Sequence, residues 1–334
     1  MANQLPRWIK DLSSDDCKVD VIHPATVRKS PVSKHLPGQL DRVKAVAFDG
    51  SVSAEIGQFL GNERKIKATL RFEVGGALVN RGVIYSSGKR KVVSSLNKEN
   101  DLAGINCAVG IASIRTSFLG SYYFGHWLRD DCATAMIEDE GTKFFTPSPA
   151  WPDKKTYLDL FKQNIPTAGL LWANRVIFYD DVSQNEHKIE RVKTIREGVF
   201  SQFSGTTPPE IVYLKRGKGG EARQLVNESE IIDALSSRGV LCLAAEDLDT
   251  PVITSLVGCR LFISVEGSQI SHAVYGVRDG GGVIALQPPD RFFNSHLDWA
   301  VPLGIQYGSV VGLPDKDGFR IPIDEILRTI DLFG

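Results

Sequence analysis

The sequence predicts an α/β protein whose second half is built on a parallel sheet, and three observations carry that prediction. Short apolar runs alternate with amphipathic helical patterns from residue 210 onward. Helix starts and stops are marked by capping residues and glycines. A polar segment, Phe203-Ser-Gly-Thr-Thr-Pro-Pro209, separates this regular region from a strand-rich first half.

Element by element, residues 210–214 read as a strand, and Asn227 opens a helix. Glu230 is its capping-box partner, Ile231, Ile232 and Leu235 form its apolar face, and Gly239 stops it. Residues 240–244 are a strand, and Thr250-Pro251 starts a short helix that ends at Gly258. Residues 261–265 are a strand running into the turn Glu266-Gly267-Ser268 and a helix through Gly276. Residues 282–287 make a further strand, 294–300 a helix and 323–332 a closing helix. This alternation means parallel strands with helices on both faces, and ligands on such sheets bind at the carboxyl ends of the strands.

The first half is less regular. Residues 1–40 read as an arm on the first domain. Residues 68–74, 77–79 and 82–84 look like strands punctuated by Gly75-Gly76 and Ser86-Ser87-Gly88, with Lys89-Arg90-Lys91 as a solvated hairpin tip. Residues 108–114 and 175–179 read as strands, and 122–137 and 151–163 as helices.

Composition excludes several classes. The 334 residues are 42% apolar and 24% charged with a formal net charge of −1, so no global basic field points to nucleic acid. The N-terminus lacks a signal-peptide pattern, and no apolar run reaches the roughly 18 residues of a membrane span. Five scattered cysteines without C-x-x-C spacing suggest reduced thiols. A cytoplasmic protein is expected, and peripheral association with the inner face of a membrane stays compatible.

Three segments carry chemistry. Leu214 runs into Lys215-Arg216-Gly-Lys-Gly-Gly-Glu-Ala-Arg223, a glycine-loosened basic loop where guanidinium groups and helix N–H groups would meet a diphosphate. The bland reading is a solvated loop; it is no Walker sequence. Glu266-Gly267-Ser268 permits close ligand approach or is an ordinary turn, and His272 beyond it reads as a packed histidine. In the first half, His126 and Asp130 are four residues apart and share a helix face. There a carboxylate orients an imidazole, or either serves as base, or both join Arg129 in a surface salt-bridge cluster.

Phe124-Gly-His126-Trp127-Leu128-x-Asp130 resembles the first-domain signature of glycosyltransferase family 61. Tyr213-Leu214-x-Arg216, Arg223, Asn227-Glu228 and Glu266-Gly267-Ser268 are similar to that family's second half in order and spacing. The resemblance spans roughly residues 120–300. It implies a GT-B-like fold, two Rossmann-like domains facing a cleft, with a strand-rich N-terminal portion. Residues 1–205 would be the acceptor side and 206–334 the nucleotide-sugar domain, the last helix being free to pack back on the first.

It also implies inverting transfer from a nucleotide-activated sugar, most simply a UDP-sugar, to a glycan or oligosaccharide acceptor in surface-polysaccharide or capsule synthesis. His126 or Asp130 would be the base, Arg216 and Arg223 would neutralise the diphosphate, and Ser268 would contact phosphate. Asn227 would join the donor-binding set or only cap its helix, and Glu228 would lie near the nucleotide. One departure stands out. The family usually has His-Gly-Ala/Ser at the second-domain turn, and Glu266 occupies the histidine position here. A carboxylate repels a diphosphate, so Glu266 accepts sugar or ribose hydroxyls, or the donor differs.

No cofactor and no metal are expected, the arginines taking a cation's place. Asp247-Leu248-Asp249 matches the D-x-D of metal-dependent transferases but reads as a helix cap before Pro251. An oxidoreductase on a similar sheet lacks its G-x-G-x-x-G. A degenerate transferase that only binds a glycan or a partner is the rival, motivated by Glu266.

Overall fold

The computed structural model describes residues 10–48, 50–94, 104–151, 153–217 and 223–334. The protein is mixed α/β, with sheets of parallel and of antiparallel strands. It divides into two compact units: residues up to 26 with 66–192, and 27–65 with 193–334. The segment 27–65 enters the second unit through parallel bridges Lys34↔Gly308 and Val46↔Phe292. Among the described residues no helix is long and apolar enough to cross a membrane.

The first unit holds an eight-stranded mixed sheet. Its path runs Lys10–Asp11, Lys89–Val92, Val83–Ser86, Thr69–Asn80, Ala168–Asp180, Ile105–Ile114, Thr142–Phe144, and Lys18–His23 also pairs with Thr69–Asn80. Val74, Val79, Ile84, Ile114, Leu171 and Val176 belong to its core. Two local expectations are corrected. Gly75-Gly76 does not break the chain into two strands, because the ladder to Ala168–Asp180 continues from Asp180↔Leu70 to Leu170↔Asn80. Lys89-Arg90-Lys91 is strand and not hairpin tip, and Lys89 and Arg90 pair with Asp16 and Asp11.

A 17-residue helix, Glu186–Gln202, is absent from the sequence reading. Its stripe of buried Ile189, Val192, Ile195 and Val199 follows helical spacing.

The second unit carries an all-parallel sheet of five strands. Their spatial order is Leu241–Ala244, Ile211–Lys215, Cys259–Val265, Val277–Gln287, Gln306–Val311. Numbered along the chain this is 2-1-3-4-5, a doubly wound order whose direction reverses between Ile211–Lys215 and Cys259–Val265. Cys259–Val265 is buried along nearly its whole length, as a strand covered on both faces must be. Tyr213, Ile231, Leu261, Ile263, Ile284 and Phe319 are central to the core. The crevice at the strand-order reversal is where ligands bind on such sheets, and Arg216 and Glu266 immediately follow its two strands.

Candidate functional site

In the first unit the helix expected over 122–137 is instead Phe124–His126, a π-helical turn Trp127–Asp131 and Cys132–Thr134, preceded by the short helix Phe118–Tyr122. Single π-turns are rare and concentrate at functional sites. One side of this helix is clamped by aromatic packing: Trp127 meets Phe124, Trp151 and Tyr157 at centroid distances of 6.0, 5.6 and 6.3 Å. The other side presents His126, whose Nδ1 lies 2.6 Å from Asp130 Oδ2.

Asp130 is interior, and its other oxygen accepts from Lys188 Nζ at 2.5 Å and from Gln184 Nε2 at 2.6 Å. Burial alone would push Asp130 up, but the charges of Lys188 and Arg129 outweigh it and hold the carboxyl well below its usual range. Asp130 is therefore ionised, so His126 Nδ1 carries the proton of their hydrogen bond and Nε2 is the basic nitrogen. Arg129 Nη2 lies 3.2 Å from both ring nitrogens. Burial and that guanidinium lower the imidazole below its ordinary value, against the opposing pull of Asp130. The His126 side chain stays 22% exposed, against 2% for Asp130. The surface salt-bridge alternative is thereby corrected, because Asp130 and Arg129 are buried.

The next residue fixes the helix from behind. Asp131 Oδ1 accepts from Ser117 N and Oγ at 3.0 and 2.8 Å. A Cβ on Gly120 would lie 2.1 Å from Asp131 Oδ2, so glycine is required there. Burial pushes the Asp131 carboxyl well up, despite the Ser117 hydrogen bonds.

In the second unit the Glu266-Gly267-Ser268 turn lies beside the strand-order reversal. Glu266 N–H donates to Leu286 O at 2.9 Å, fastening the turn to the next strand. Arg216 Nη1 donates to Glu266 O and Gln269 Oε1, each at 3.2 Å, and Arg223 Nη1 donates to Glu266 O at 2.7 Å. Both guanidinium groups lie over Gly267, which has φ 154°. A Cβ there would meet Arg216 Nη1 at 2.0 Å and Arg223 Nη1 at 2.9 Å. The glycine thus makes room for cations. The Glu266 carboxylate also pairs with Arg223 Nη1 at 3.0 Å, with side-chain exposures of 4% and 9%.

Other sequence candidates take different places. Asn227 makes no cap; its amide bonds both ways to the Ile321 backbone, at 2.9 and 3.1 Å, a correction to the capping-box expectation. Glu228 accepts from the buried Tyr213 hydroxyl at 2.6 Å. Ser268 begins the short 3-10 helix Ser268–His272, half-buried. His272 is packed as expected, and burial pushes its imidazole down to about 3. Asp247 and Asp249 are exposed, and the following 3-10 helix has Pro251 at its cap position without a side-chain bond, so they are not its caps. Residues 218–222 of the basic loop lie outside the described residues.

Lys188, Gln184 and Asp131 were missed by sequence reasoning. A lysine in a helical stretch reads as solvent-facing. One local signal existed: Lys188 sits in the first turn of its helix, three residues after Asn185, whose Oδ1 accepts its N–H at 3.0 Å. A cation there opposes the helix dipole.

Compared with known families, residues 124–284 match the family model described as Glycosyltransferase 61. The match begins at the first residue of the His126 motif and takes in Arg216, Arg223 and the Glu266 turn. No curated protein matches the chain.

Proposed function

Through residues 124–284 the chain belongs to glycosyltransferase family 61, and from that premise we propose that it is an inverting transferase moving a sugar from a nucleotide-diphosphate donor, a UDP-sugar foremost, to a glycan hydroxyl. The proposal includes a GT-B-like division of labour, in which the first unit supplies the base and acceptor site and the second binds the donor. The observation that carries it is the pair of guanidinium groups lying over Gly267 at the strand-order reversal of a parallel sheet.

Chemically, His126 Nε2 removes the acceptor proton as its oxygen attacks the anomeric carbon. The bond from that carbon to phosphate breaks, and the diphosphate leaves as an anion. Asp130 holds the ring and balances the imidazolium. Arg216 and Arg223 stabilise the leaving charge, so the transfer proposed is metal-independent, and the exposed Asp247 and Asp249 have no part in it. Surface-polysaccharide synthesis and a cytoplasmic location, at the inner membrane face or free, belong to the same reading.

The test is turnover of sugar nucleotides with and without chelator, by the wild type and by Arg216→Ala. Loss of one preorganised donor to the leaving group costs about 10²–10³ in kcat. Unchanged turnover in Arg216→Ala would sink the leaving-group role, and loss of turnover in chelator that manganese restores would overturn metal independence.

One observation favours a second reading, a transferase-like module that binds glycan or a partner without turnover: Arg223 is already paired with Glu266. Calorimetry with UDP and GDP separates the two, since absence of nucleotide binding supports the module.

A further inference from the structure

We propose that Glu266 is a built-in competitor of the donor's phosphates: its carboxylate pairs with the Arg223 guanidinium, and the ligand binds by displacing it. The inference rests on the donor-site reading above and deepens it by assigning a residue that sets phosphate affinity.

The geometry has three parts. Arg223 is nearly withdrawn from solvent and uses one nitrogen for both the backbone oxygen and the carboxylate of Glu266, at 2.7 and 3.0 Å. Arg216 uses the same backbone oxygen together with Gln269. Gln269 is itself fixed by donating to Val265 O at 2.6 Å. Glu266 is therefore a common anchor of both cations through its backbone oxygen, and its carboxylate pairs with Arg223.

An anion of two or more charges arriving over Gly267 meets an arginine whose charge is already matched. Binding must then exchange one carboxylate–guanidinium contact for a phosphate–guanidinium contact, and it leaves a carboxylate close to the phosphate. Both effects weaken binding in proportion to ligand charge. Such a site holds Arg223 in place before the donor arrives and releases a diphosphate product readily.

The experiment is calorimetry of wild type and Glu266→Gln with UDP, UMP, uridine and inorganic pyrophosphate. Glutamine keeps the shape and a hydrogen-bonding oxygen while removing the charge. UDP and pyrophosphate should bind the variant about tenfold tighter or more, UMP with a smaller gain and uridine with none. Unchanged or weaker UDP binding by the variant, where wild type binds UDP, overturns this inference alone and leaves the donor site standing. Failure of both proteins to bind any of these ligands, or GDP, overturns the donor reading as well.

If Glu266→Gln does not fold, the double variant Arg223→Gln/Glu266→Gln replaces it. Removing both charges together should keep UDP affinity within a few-fold of wild type, and a hundredfold loss overturns the proposal.

Discussion

Lys188 Nζ lies 2.5 Å from Asp130 Oδ1, and both side chains are almost wholly buried. A buried ion pair adds little net stability over an apolar pair, but removing one partner strands the other charge, at about 3–5 kcal/mol. Lys188→Met should therefore lower the unfolding free energy from urea titration by that order at pH 7. Lys188→Met/Asp130→Asn should recover part of the loss. A double-mutant cycle with no coupling would show that the contact is not energetically real.

Asp130→Asn alone tests orientation. The variant keeps the shape but removes the carboxylate that fixes the proton on His126 Nδ1. Transfer should fall roughly a hundredfold or more, while donor KM stays near wild type. A parallel rise in KM would point to structural damage.

The pH profile tests the imidazole itself. Burial and Arg129 lower His126, so the acid limb of kcat/KM should lie below the ordinary imidazole value of about 6.5. Arg129→Met removes a lowering influence and should move that limb upward. A limb that moves down, or stays in place, would exclude His126 as the base.

Gly267→Ala carries the second unit's prediction. Its Cβ would lie 2.0 Å from Arg216 Nη1, and φ 154° is poorly tolerated by alanine. The arginines must move. Nucleotide affinity and turnover should both drop, with the melting temperature changing less than in the Lys188→Met variant. Wild-type affinity in Gly267→Ala would remove the turn from the donor site.

Much of the second unit was legible because local signals agreed there. Apolar runs such as Val212–Leu214 and Leu261–Val265 are bounded by glycine-containing turns, so strand existence followed from pattern. The His126–Asp130 contact was legible too, since four-residue spacing fixes a helix face. What escaped was long-range. Lys188 meets Asp130 across 58 positions, and no local pattern distinguishes a lysine turned inward from one in water. The Lys34↔Gly308 bridge is likewise invisible in sequence. Asn227 illustrates a different limit. Its sequence context fits a cap, yet the interior polar groups of Ile321 claimed its amide. The helix Glu186–Gln202 was missed although its stripe could be read.

His272 supplies a stability prediction with a definite sign. Burial lowers its folded-state imidazole to about 3, while in the unfolded chain it titrates near 6.5. Above about pH 6.5 both states are neutral and the residue contributes no pH dependence. Between those values the unfolded state binds a proton that the native state refuses, so stability falls as pH falls. At about 1.36 kcal/mol per pH unit, the loss by pH 5 is about 2 kcal/mol. Urea titrations at pH 7, 6 and 5 should show it, and a packed neutral replacement such as His272→Gln should flatten the slope by one proton. An unchanged slope in that variant would mean that His272 takes up a proton in the native state, and its packed assignment would fail.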